Sequence, residues 1–112
     1  MSLPVTLLIL FVAALLEAGG DALVRSGLHA PTATLRTGLF LLGGLVLFAY
    51  GYLVNSPPWD FGRLLGVYVV FFFIAAQLIS YFSFHALPSK TILLGGLFIV
   101  IGGAIMTFGS SK

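Results

Sequence analysis

Three ionisable residues interrupt the first apolar stretch of the chain. In "LLEAGGDALVR" at 15–25, Glu17 is followed four positions on by Asp21 and four further by Arg25. A carboxylate inside a membrane span costs about 2.5–3.5 kcal/mol on insertion scales, so an acid kept there is a functional candidate by default. Such a group can hold a proton or, once ionised, an organic cation, and the two occupancies exclude each other. At about 100° per residue, Ala13, Glu17, Gly20 and Val24 form one helical stripe, with Asp21 and Arg25 drifting to its side. Small neighbours let another backbone or a flat ligand approach Glu17 closely, and small residues at helical spacing are also how membrane helices associate. Two plainer roles stand beside this one. Asp21 and Arg25, at i and i+4, can form a local ion pair near the interface, and Glu17 can be a hydrogen-bonded acid that only holds helices together.

The elements that must position these residues follow from composition. Of 112 residues, 60% are hydrophobic and 7% charged, against about a quarter charged in a soluble domain. That is too little polar side chain to clothe a globular surface, and it implies a membrane protein with the lipid bilayer as its solvent. No linker or charge block divides the chain, so a single domain over residues 1–112 is expected. Charge-free runs cover 1–16, 37–59, 64–89 and 91–111, and a helix needs roughly 20 apolar residues to cross the hydrocarbon. Four spans are predicted, at about 3–25, 36–55, 63–85 and 89–109, the first reaching full length only by taking Glu17 and Asp21 inside. Turns rich in Pro join them: "HAPTAT" at 29–34, "NSPPWD" at 55–60 and "ALPSK" at 86–90. The fold class expected is an all-α bundle of four antiparallel transmembrane helices, since lipid requires every backbone group to be paired within its segment. No Lys or Arg precedes the first apolar stretch, so it is expected to stay in the mature protein rather than act as a signal peptide.

Other residues narrow the function. Absence of Cys removes disulfides and thiol chemistry, and His29 and His85, both near predicted helix ends, bring no metal-ligand set with them. No nucleophile has a neighbouring base, so no enzyme activity, cofactor or metal is expected. A formal net charge of +2 without a basic cluster gives nucleic acid no footprint. Arg63 and Lys112 fall on one side of the membrane and Arg25, Arg36 and Lys90 on the other, a near-even split that leaves insertion one way or both ways open. In the fourth span Gly96 and Gly103, two turns apart, form a smooth stripe for close helix approach. In the third, Tyr68, Phe72, Ala75 and Ile79 share a stripe, and the hydroxyl of Tyr68 needs a partner in lipid. Gln77 and Ser80, on another side, are expected to hydrogen-bond between helices, and "VVFFFIAA" to serve lipid contact and packing. Tyr50, Tyr52 and Trp59 mark an interface, with the alternative that one tyrosine reaches the interior.

Together these features resemble the small multidrug resistance family. The resemblance rests on four short spans in a chain of this length and on Glu17 with Gly20 and Arg25 in the first. It rests also on "GLFIVIGGA" in the fourth, with Gly96, Ile99, Val100 and Gly103 at the family's spacing. The stretches "GGLVLFAYGYLVNSPP" and "FGRLLGVYVV" are similar to its YnfA-like branch. The third helix differs from the usual pattern: Leu65 stands for a Tyr, Tyr68 for a Trp, and Val69 and Val70 fill a glycine-containing region. The resemblance implies an antiparallel, dual-topology homodimer in a bacterial inner membrane that exports cationic compounds in exchange for protons. It further implies that Glu17 is the shared proton and substrate site, that Tyr68 takes the position of the third-helix aromatic and that Gly96 and Gly103 form the dimer contact; Ala13, Gly20 and Asp21, near Glu17 on its helix, are candidates for the same site, Asp21 being foreign to the family's usual motif. A small dual-topology ion channel, or a non-transporting structural or assembly protein, would have the same outline.

Overall fold

The computed structural model describes residues 1–109, so Lys112 lies outside the described residues. Four helices account for nearly all of it: α1 (Leu3–Leu28), α2 (Ala33–Val54), α3 (Phe61–Phe84) and α4 (Lys90–Phe108). Each is long and apolar enough to cross a membrane, with mean hydropathy between 1.9 and 2.2. Even the shortest, 19 residues, reaches about 28 Å at 1.5 Å per residue, close to the hydrocarbon thickness.

Local sequence sets the helix ends. Hydroxyls of Ser2, Thr32 and Ser89 accept hydrogen bonds from the backbone N–H groups of Val5, Leu35 and Ile92, each satisfying an orphan donor of a first turn. Pro4 lies within the first turn of α1, where its missing N–H costs nothing. The C-terminus of α3 closes on His85 in the left-handed region, φ 57°, with the His85 and Ala86 N–H groups returning to the carbonyls of Tyr81 and Ser80. That double return caps two carbonyls, and His tolerates this conformation better than most residues with a Cβ.

α1 is the hub. It packs on α2 and on α3, whereas α4 packs on α3 alone. The core lies mainly between α1 and α3, where Leu10, Ala13, Ala14 and Ala18 meet Leu64, Val67, Tyr68 and Ala75. Against α2 the approach is closer still, because a Cβ on Gly20 would lie 3.3 Å from the Gly43 carbonyl oxygen and 2.8 Å from Leu47 side-chain atoms. The consecutive phenylalanines of α3 are used for packing: Phe71 meets Phe11 edge-on at 6.4 Å, Phe72 lies on Tyr68, and Phe73 covers Gly96.

The stripe expected to face a second copy is used inside the chain. Gly96 and Gly103 are buried against Phe73 and Val70 of α3, and a Cβ at either would run into those side chains. The open glycines of α4 are Gly95 and Gly102, which have nothing within 4 Å.

Arg63, at the start of α3, fastens the far end of α4. Its Nε donates to the Met106 carbonyl and its Nη2 to the Thr107 carbonyl, both at 3.1 Å, while its guanidinium lies 4.0 Å from the centroid of the Trp59 ring. These carbonyls belong to the last turn of a helix, where a positive charge is also favoured by the helix dipole. Arg63→Gln is expected to lower stability in mixed micelles by about 1.5–3 kcal/mol, the worth of hydrogen bonds to a charged group. Hydrogen exchange then rises first at the C-terminal amides of α4; uniform loss across all four helices would contradict this local role.

Candidate functional site

Glu17 and Tyr68 come from different helices, 51 residues apart in sequence, and meet inside the bundle. The Tyr68 hydroxyl donates to Glu17 Oε1 at 2.7 Å. Tyr68 is 4% exposed and Glu17 half-buried. Both needs created by apolar burial are met at once, since the phenol finds an acceptor and the acid a donor. Only Oε1 is engaged by Tyr68, so the other oxygen of the carboxyl remains for a proton or a ligand.

Tyr50 reaches the pair from α2. Its ring centroid lies 5.6 Å from that of Tyr68 with the planes inclined at 32°. Phe72, one helical turn beyond Tyr68, extends the column at 6.2 Å. Three rings therefore stand in a row beside one carboxylate. A cation beside an ionised Glu17 would meet both opposite charge and aromatic faces, a pairing that suits ammonium and guanidinium groups. Tyr50 thus takes the interior position, whereas Tyr52 is exposed.

A cavity of about 390 Å³ opens on the next turn of α1, lined by Ala18, Asp21 and Arg25 and, across from them, by Phe72, Ser80 and Phe84 of α3. Glu17, next to Ala18 in sequence, is not part of this lining, whereas Phe72 belongs both to the ring column and to the cavity wall. Small residues make the space: Ala18, Ala22 and Ala76 present methyls where larger side chains would fill it.

Four expectations are revised. The Asp21–Arg25 ion pair does not form: no charged nitrogen lies within 4.0 Å of a carboxylate oxygen among the described residues. Arg25 turns instead to α3, with its guanidinium carbon 5.5 Å from the centroid of the Phe84 ring. Ala13 is fully buried in the α1–α3 core rather than lining a ligand space. Gly20 is spent on the crossing with α2, so a backbone, not a ligand, uses its missing side chain. Gln77 and Ser80 make no side-chain hydrogen bond among the described residues. Ser80 lines the cavity instead.

Among the described residues no group of three or more His, Asp or Glu could hold a metal ion. Fold and site together define a class of chain: all-helical, with four helices apolar enough to span a membrane, and a carboxylate held by a tyrosine within them. No protein-family model, curated protein or solved structure matches the chain.

Proposed function

We propose that this protein is a proton-coupled exporter of cationic compounds, such as quaternary ammonium or guanidinium-like molecules, in the inner membrane of a bacterium. It works as an antiparallel homodimer of the small multidrug resistance type, with one Glu17 from each copy facing a shared chamber. The observation that carries this reading is the Tyr68–Glu17 hydrogen bond at 2.7 Å within a bundle otherwise built from apolar side chains.

The chemistry follows from that contact. Ionised Glu17 accepts from Tyr68 and presents its second oxygen to a cation, whose positive face also rests on the Tyr50 and Tyr68 rings. A proton arriving at Glu17 removes the negative charge and with it the attraction for the cation. Release of one ligand is therefore the condition for binding of the other, and a chamber that opens alternately to each side turns that competition into exchange. The two copies would meet on the outer surface of α4, where Gly95 and Gly102 are open and Phe98 is exposed.

Reconstituted protein tests this against its rivals. In vesicles with an imposed proton gradient, a labelled quaternary ammonium ion should accumulate against its own gradient, and Glu17→Gln should abolish accumulation. Electrical conductance without proton coupling would identify a channel, and neither signal would identify a structural protein.

A further inference from the structure

Asp21 and Arg25 have the spacing of an ion pair and do not make one. Both line the same cavity of about 390 Å³, at the small end of the range for small-molecule sites. Arg25 lies toward α3, its guanidinium carbon 5.5 Å from the centroid of the Phe84 ring, and it shares the cavity lining with Asp21. Two unlike charges on one wall of an open space, not paired with each other, with Phe72 and Phe84 of α3 lining the wall across from them, form a site of mixed polarity. We infer that this cavity binds a zwitterion, with its ammonium on Asp21 and the Phe72 ring and its carboxylate or phosphate on Arg25 and the Ser80 hydroxyl.

The charges explain why the class is zwitterionic rather than cationic. A simple cation attracted to Asp21 meets Arg25 on the same wall, and a simple anion drawn to Arg25 meets Asp21. A molecule carrying both signs gives each group a counter-charge, which offsets part of the cost of taking its own two charges out of water. Guanidinium suits a carboxylate or phosphate because its planar fork can donate two parallel hydrogen bonds. Across i and i+4 the Cβ atoms are about 5–6 Å apart, a span that a compact ammonium carboxylate or a phosphoethanolamine head can bridge. The occupant can thus be a free solute or the headgroup of a lipid. This inference rests on the cavity alone and adds a site one turn from Glu17, whose exchange of proton for cation is a separate claim.

Isothermal titration of the full chain in nanodiscs provides the test, using choline, glycine betaine and the betaine homologue with three carbons between ammonium and carboxylate. The two betaines share the trimethylammonium group of choline and carry a carboxylate in place of its alcohol end, at two different chain lengths. At least one betaine is expected to bind more than about tenfold tighter than choline, the worth of one charge-assisted contact. Arg25→Gln should erase that preference, and Asp21→Asn should weaken all three ligands. Both residues are exposed, so neither variant threatens folding. Repeating the titration in phosphatidylethanolamine and in phosphatidylglycerol nanodiscs separates the sources: competition by the former alone assigns the site to a lipid head, and equal betaine affinity in both assigns it to a solute. Choline binding as tightly as both betaines, or a preference that survives Arg25→Gln, would overturn the inference. The ratio is read without any proton measurement, so this site and the exchange at Glu17 can fail independently.

Discussion

Alanine at both Gly96 and Gly103 should detach α4 from α3. Each added Cβ lands on a side chain of α3, Phe73 at one position and Val70 at the other. Val70 is β-branched and stiff at χ1, so it cannot swing aside cheaply. Overpacking of this kind costs about 1–3 kcal/mol per site, and α4 has no other helix in the chain to hold it. The double variant is therefore expected to lose most of the α3–α4 contact, seen as lower transfer efficiency between fluorophores on Gly62 and Gly109 and as unfolding at lower detergent denaturant. Alanine at Gly95 and Gly102 provides the control. Nothing in the same chain lies within 4 Å of either, so in monomeric protein diluted in detergent replacing Gly in a helix interior should leave the chain as stable or up to about 1 kcal/mol more stable per site. Equal damage from both pairs would mean that α4 is not seated on α3 by the Gly96 and Gly103 face.

The second large effect concerns pH. If proton and cation compete for Glu17, cation affinity in the wild type should rise by up to about tenfold per pH unit through the range in which Glu17 gives up its proton. In Glu17→Gln the affinity should be weak and flat with pH. Tyr68→Phe separates the roles of the two residues. Losing the hydroxyl removes a hydrogen bond to the carboxylate, worth about 1.5–3 kcal/mol when that group is charged, so cation affinity measured at one fixed pH should fall in Tyr68→Phe. A binding curve for Tyr68→Phe that coincides with the wild type would show that the 2.7 Å contact has no part in the competition.

Much of the helical outline was legible because each helix carries its own local signals. Apolar runs of membrane length and Pro-rich joins are readable without knowing any neighbour, whereas the capping hydroxyls of Ser2, Thr32 and Ser89 emerged only with the structure. Glu17 and Tyr68 were each visible as polar groups stranded in apolar stretches, and apolar burial leaves such groups few options but each other. Information that depends on relative rotation of helices was not legible. Gly95 with Gly102 and Gly96 with Gly103 are equivalent stripes one residue apart, and only the placement of Phe73 and Val70 decides which is covered. Asp21 and Arg25 have ideal spacing for a pair, yet the ring of Phe84, brought in by α3, takes the guanidinium. Tyr50 looked interfacial by its position near the end of α2; its approach to Tyr68 depends on how α1 gathers both helices.

Central to the proposed function is that one carboxyl, Glu17, would hold either a hydrogen ion or an organic cation and never both. Proton release on ligand binding reads that most directly: a saturating quaternary ammonium ion is added to purified protein in weakly buffered micelles while a pH dye is followed. Protons should appear in proportion to cation bound, and none should appear with Glu17→Gln. Cation binding with no acidification, or equal acidification from Glu17→Gln, would contradict the account.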